Sequence, residues 1–598
     1  MLAITLSSEK GARTDLPLRP EWTKLHMEPL PLFVIAFEAL GMQTVSAGII
    51  MDDKYSLGTH IIRNPVLRGF HPDPSILRVD NDFYIATSTF EWFPGVRISH
   101  SRDLRHWRLL THALTRLNQL DMRGNPRSGG VWAPCLTFSK GLFHLVYTDV
   151  KTWGFGFDDC HNYLVTAESI EGPWSDPIYL NGSGFDPSLF TDDDGRQWLV
   201  NMIWDHRPGR DSFGGIALQE YCAERKSLVG KPCRIFGGSV RGRTEGPHLY
   251  HYGDHYYLMV AEGGTGWEHA VTIARSRQID GPYQADPQGS MLTSQGSSRT
   301  ALQKAGHGSL VQTQTGEWYL AHLCARPVCE HRRCVLGRET AIQRVEWTSE
   351  GWLRLADGGV FPRIEVQAPA LADCPFPPEE PRDHFDNDQL SPHYQTLLAP
   401  ADSDWLSLSE RPGYLRLRGR QSPRSLHRQS LVGRRFQSFH CRFETSVEFR
   451  PVNFQQMAGL MCLYDDENFY YANISFDDEL GINLGVLKSS LGKLSNVLEK
   501  PVPLAEGHVY LRVDYHEIAL RFFYSPDGQH WTPLTDDLDA TILSDEHTTA
   551  GLGFTGSFGA LCAHDMSGQR AIADFDYFDY IDLDSRPIVM ESVSHIAR

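Results

Sequence analysis

GFHPDPSIL (residues 69–77) and GFDPSLF (residues 184–190) write the same Asp-Pro-Ser between a bulky aromatic and an apolar run. The interval between the two is close to twice the period of a second pattern. DNDFYIATS, SKGLFHLVYTD, DDGRQWLVNMIW, YGDHYYLMVAEG and QTGEWYLAHL each set a Gly/Asp/Asn turn before an aromatic and an apolar run. That order is the signature of a hairpin turn feeding a β-strand. The aromatics Phe83, Phe143, Trp198, Tyr256 and Trp318 are spaced by 60, 55, 58 and 62 residues. Five near-equal periods of short strands, without helical periodicity, predict radial repetition. The expected fold is all-β: a five-bladed β-propeller of four strands per blade over residues 59–367.

Ten to twelve residues before these markers stand Asp73, Trp132, Asp186, Glu245 and His307, spaced by 59, 54, 59 and 62. Each is followed within two residues by Pro or Gly, which suits the entry to a strand. The innermost strands of a propeller all start at one end of its axis, so residues of equal phase converge on one mouth. Three carboxylates, a Trp and a His are expected there. One Asp-Pro alone is an ordinary turn element; three acids in phase are not, since clustered like charges cost stability unless paired or used. Two carboxyls with separated proton affinities beside an aromatic wall are the equipment of glycoside hydrolysis.

The bulk composition agrees with that chemistry. The 598 residues exceed one ordinary core and predict at least two domains. An apolar share of 41% with 22% charged residues fits a globular protein. The net charge of −18 argues against nucleic acid and anionic membranes as partners and suits a neutral substrate. Eleven cysteines without a framework spacing predict free thiols and a cytoplasmic location. Cys324, Cys329, His331 and Cys334 in LCARPVCEHRRC could hold zinc, but they lack paired knuckle spacing and three arginines crowd them. Residues 1–58 are expected to be an extension outside the fold; LFVIAFEAL (residues 32–40) is too short to span a bilayer.

Beyond the Pro-rich stretch APALADCPFPPEEPRD (residues 368–383), expected as a linker, residues 384–598 show short alternating strands. They predict a β-sandwich, either a carbohydrate-binding module or a structural partner of the propeller.

The motifs NPVLRGFHPDPSI, STFEWFPGVRISHS, SGGVWAP, SGFDPSLF, TEGPHLY and LGRETAIQR together resemble glycoside hydrolase family 43, in particular its cytoplasmic bacterial β-xylosidases. The likeness runs from about Ile61 to the C-terminus. It implies a propeller followed by a sandwich, and hydrolysis with inversion of the anomeric carbon. By resemblance Asp73 is the general base, Glu245 the general acid, and Asp186 the residue that orients and tunes the acid. Arg338 resembles the arginine that binds xylose hydroxyls. Phe90, Trp132 and Phe185 resemble the hydrophobic wall, and His307 the axial histidine. No cofactor is required, although some members hold Ca²⁺ near that histidine. The resemblance also favours a structural sandwich with a loop over the mouth. GFTGSFGAL (residues 553–561) is the candidate, with Phe558 exposed at its tip or else an ordinary core residue. The expected activity is exo-release of xylose from β-1,4-xylo-oligosaccharides. An α-L-arabinofuranosidase (or dual activity) and a non-catalytic sugar-binding propeller are the alternatives. A homo-oligomer, dimer or tetramer, is the expected assembly.

Overall fold

A computed structural model of the chain describes residues 60–154 and 156–584. The proposed extension, residues 1–58, lies outside the described residues. The structure is all-β, a five-bladed propeller followed by a sandwich, and its one helical element among the described residues is the 3-10 turn Ala540–Ile542.

Each blade is an antiparallel sheet whose strands follow in chain order. The innermost strands are Ser75–Val79, Gly130–Ser139, Ser188–Thr191, Glu245–Tyr252 and Gln303–Gln312. Each packs against the next and the last against the first, which closes the ring. The five aromatic markers all lie in the second strand of their blade, where the hairpin turn delivers them. Ends of the ring meet outside the blades: Ile61–Arg63 pairs with Glu365–Gln367. The Asn64 side chain accepts from Ile342 N at 2.8 Å and donates to Ile342 O at 2.7 Å.

The repeated Asp-Pro-Ser has a structural meaning for its serine. Ser75 Oγ accepts from Leu136 N of blade 2 at 3.0 Å, and Ser188 Oγ donates to Pro247 O of blade 4 at 2.6 Å. In blade 5, Ser309 at the same offset from His307 accepts from Ile76 N of blade 1 at 3.1 Å. Each serine joins its inner strand to that of a neighbouring blade through a backbone group that would otherwise be buried unpaired.

The sandwich consists of a seven-stranded and a nine-stranded sheet enclosing Phe443, Leu460, Tyr470, Val513 and Phe522. At the end of the Pro-rich stretch, Arg382–Asp383 already pairs within the larger sheet. The outer face of the seven-stranded sheet is buried too: Leu431, Met461, Tyr471 and Phe558 pack on Phe70, Phe90 and Trp92 of the propeller. A sheet buried on both faces loses polar alternation, which is why the strand Phe558–Asp565 is buried throughout and opens on six apolar or small residues, FGALCA.

All eleven cysteines are free thiols, seven of them buried. Cys324, Cys329, His331 and Cys334 do not converge on a common point among the described residues. Cys334 lies instead beside Asp545 and Glu546, both of which pair with Lys304.

Candidate active site

The five in-phase residues meet as expected, and backbone geometry explains how. Asp73, Asp186 and His307 have φ of 53°, 55° and 50°, while in blades 2 and 4 the next residues, Ala133 and Gly246, have 32° and 57°. A left-handed residue at the mouth of every inner strand turns the side chain of the phase residue toward the axis. For non-glycine residues that conformation is strained, a feature common at functional sites.

One pocket is lined by Asp73, Phe90, Trp132, Phe185, Asp186, Glu245, Thr265, His307, Arg338 and Phe554. Eight of the nine residues singled out from sequence are among them. The ninth, Phe558, is a correction. It is fully buried in its strand, its ring stacked on Trp92 with centroids 3.5 Å apart, and it backs Phe70, which in turn backs Phe90. The aromatic of that loop which reaches the mouth is Phe554, four residues earlier. Its ring lies 5.6 Å from Trp132, 5.9 Å from Phe90 and 5.1 Å from Trp153. Phe554 N donates to Ser128 Oγ at 3.1 Å, and Phe554 O accepts from Arg338 Nη2 at 2.9 Å.

The approach of the two domains here needs glycine. A Cβ on Gly337, next to Arg338, would lie 2.0 Å from Thr555 O, and Gly337 has a φ of +73°. Behind the loop, Tyr464 Oη donates to Asp545 Oδ1 at 3.1 Å and accepts from Thr555 N at 3.2 Å. Asp545 is itself paired with Lys304 Nζ of blade 5 at 3.0 Å, both groups fully buried. The Phe554 loop is thus tied to the propeller through a chain of buried charges three residues from His307.

Asp73 is 6% exposed. It accepts from Ser88 Oγ at 2.6 Å and from Arg338 Nη1 at 3.2 Å, and His307 Nδ1 lies 3.8 Å away. Burial alone would raise its pKa, but Arg338, His307 and Ser88 outweigh burial and hold it below the ordinary value. Glu245 is half-buried and faces the pocket. Burial and then the Asp73 charge push it up to about 7, against Arg338 and Arg243. Asp186 is 7% exposed and accepts from Gly246 N at 2.9 Å, next to Glu245 in the chain. Burial and the charges of Glu245 and Asp73 push it up as well. Asp186 and Glu245 therefore titrate as a pair. Asp73 is the acid that stays ionised.

Thr265, Phe554 and Ser88 belong to the site but stand outside the five-fold spacing of the sequence. Thr265 Oγ1 accepts from Arg338 Nη1 at 2.8 Å, and its only signal is a Gly-flanked turn, GGTG.

The profile described as "Glycosyl hydrolases family 43" matches residues 62–353, and that described as "Beta xylosidase C-terminal Concanavalin A-like domain" matches residues 382–581. A beta-xylosidase of Bacillus subtilis (strain 168) is 48% identical over 530 residues, 87% of this chain and 99% of the relative. The chain belongs to glycosyl hydrolase family 43. Within family 43, a xylosidase/arabinosidase of Humicola insolens is 48% identical over 87% of this chain and 97% of its own. The crystal structure of a xylan beta-1,4-xylosidase from Bacillus halodurans C-125 superposes with a TM-score of 0.86 at 55% identity, covering 87% of this chain and all of that one. The family-43 motifs thus fall on the pocket residues, with the three acids on three separate blades.

Proposed function

We propose that this family-43 enzyme is an exo-acting xylosidase that releases xylose from the non-reducing end of β-1,4-xylo-oligosaccharides with inversion. The observation that carries the proposal is the split in proton affinity between Asp73, held low by Arg338, and Glu245, raised to about 7.

In this mechanism the Asp73 carboxylate takes a proton from a water that attacks the anomeric carbon. Glu245 gives its proton to the departing glycosidic oxygen. Asp186 accepts from the Gly246 N–H and shares a proton with Glu245, the acid of the pair that is open to the pocket and placed to donate. The charge that either acid would gain on ionising favours keeping the proton on the other. Arg338, anchored by Thr265 and Phe554 O, presents its remaining donor capacity to sugar hydroxyls. Its Nε is buried without an acceptor. Phe90, Trp132, Phe185 and Phe554 surround the ring of the sugar and exclude water from the reacting centre.

A Ca²⁺ near His307 fits the residues poorly. Calcium takes six to eight oxygen ligands, and the nearest carboxylate, Asp73, is engaged by Ser88 and Arg338. No group of three ligand atoms converges at His307 among the described residues. The side chains alone supply the proposed acid and base.

A second substrate, a terminal α-L-arabinofuranoside, is favoured by the Humicola relative's printed activities. A cytoplasmic location, suggested by the free thiols, and assembly as a homo-oligomer belong to this proposal as well. The deciding test is proton NMR of the first product from a β-linked xyloside. α-Xylose is expected, and β-xylose as first product would overturn the mechanism. Rates on aryl β-xyloside, aryl α-arabinofuranoside and xylobiose rank the substrates.

A further inference from the structure

A second cleft, where blade 1, the Pro-rich stretch and the sandwich meet, shares no lining residue with the catalytic pocket. Its volume is about 1010 Å³, and arginines line it from both domains. Arg97 comes from the third strand of blade 1, Gly95–Ser101, and Arg434 from Ser430–Arg435 of the sandwich. They are 3% and 8% exposed.

These arginines lack the partners that buried cations need. The Arg97 side chain makes no hydrogen bond or ion pair among the described residues, and its Nε is sealed from solvent without an acceptor. Arg434 Nε is sealed in the same way, and its Nη2 meets only Glu379, at 3.4 Å. Glu379 is already engaged by His393 Nε2 at 3.1 Å. Next in sequence, Arg435 is also buried, with Nη2 unpartnered. His71 and His393 line the cleft with a buried Nδ1 unpartnered on each. Burial and the charges of Arg435 and Arg97 hold His71 well below its ordinary pKa, as a strongly positive surrounding would. Of the other lining carboxylates, Asp582 pairs with Arg68 at 2.6 Å, and Glu380 is exposed.

The charge of Glu379 is shared by Arg97, Arg434 and His393, and guanidinium charge in excess of its counter-ions is among the most costly to bury. Its persistence at a wide cleft, in a chain of net charge −18, points to an anion from outside the chain. Two guanidinium forks with imidazole donors offer more N–H groups than the two oxygens of one carboxylate accept, and they suit a phosphate. The volume leaves room for more than the ion. Flat faces are present too: Arg434 lies over Tyr580 at 4.8 Å and Arg108 over Phe376 at 4.7 Å. We propose that this cleft binds a phosphate-bearing small molecule, clamped by Arg97 from the propeller and Arg434 from the sandwich.

The test is calorimetric titration of the full chain with inorganic phosphate and, separately, with ribose 5-phosphate, at constant ionic strength and with xylose saturating the catalytic pocket. One site per chain is expected, weakened at least tenfold in Arg97→Gln and in Arg434→Gln. Ligand should raise the wild-type Tm by about 2–4 °C at a hundredfold excess over Kd. Arg97→Gln removes an unpaired buried charge, so its Tm without phosphate should rise while its phosphate response disappears. Tighter binding of ribose 5-phosphate would name a sugar phosphate as the ligand; equal binding would name free phosphate. No heat with either probe, or binding undiminished in both variants, would overturn the proposal. So would tighter binding of citrate. A fall in oligomer mass on Arg97→Gln with no change in phosphate binding would assign the cleft to a second copy of the chain instead.

Discussion

Glu245 and Asp73 must be in opposite protonation states, and that requirement predicts how each fails. Removing the proton donor matters most for a poor leaving group, so Glu245→Ala should lose about 10²–10⁴-fold on xylobiose and far less on a substrate releasing an acidic phenol. Asp73→Ala should be nearly inactive on both. Comparable losses of the two variants on both substrates would void the roles. The pH profile follows from the same two groups. The acid must be protonated, so kcat/KM should fall as pH rises through about 7, the value to which Glu245 is raised. The base must be ionised, so the acidic limb should lie below the ordinary carboxylate range. Asp186→Asn removes the acid that shares a proton with Glu245, and the basic limb should move to lower pH. A basic limb that stays in place would assign it to another group. At this scale the three acids were legible from spacing, whereas Ser88 and Thr265 were not. A hydroxyl that bonds a catalytic carboxylate from 15 residues away leaves no periodic mark in the chain.

At the scale of elements, the sequence of residues 553–561 marks a loop over the mouth without marking which of its two aromatics faces the pocket. Phe554 and Phe558 both sit among glycines, and pattern could not separate the tip of the loop from the first residue of the next strand. The structure makes opposite predictions for them. Phe554→Ala should lower kcat/KM about ten- to a hundredfold with little change in Tm, because its ring forms part of the pocket wall. Phe558→Ala should cost about 3–5 kcal/mol of stability by leaving a cavity beneath Trp92. Thermal melts and kinetics on the two variants check this directly. If Phe554→Ala unfolds the protein while Phe558→Ala is merely slow, the positions are reversed. The inner strands, by contrast, were fully legible. Their Asp-Pro-Ser phrases encode two things at once, an acid at the mouth and a serine that joins blades.

Across the whole molecule, the catalytic pocket is finished by a residue almost 500 positions from Asp73, held through the Lys304–Asp545–Tyr464 chain. Lys304→Met should leave Asp545 buried with its main counter-charge removed and cost about 3–5 kcal/mol. It should also lower kcat/KM, since the Thr555 backbone loses its anchored partner. Lys304→Arg should recover part of both if charge is what matters. Unchanged kinetics in a destabilised Lys304→Met protein would show that the chain holds the domains together without setting the loop.

The sequence by itself determined the local content of this protein: five hairpin periods, an acid, Trp or His in phase at each inner strand, and a second stretch of alternating strands. These are properties of short windows, where turn chemistry and a period of two are enforced residue by residue. Tertiary structure alone decided which distant groups share a wall. It put Phe554 rather than Phe558 into the pocket, kept the cysteines of residues 324–334 apart, and brought Arg97 and Arg434 to one cleft. Contacts between faces of separate domains depend on the register and packing of whole sheets. A sheet buried on both sides erases the polar alternation that would have told its faces apart.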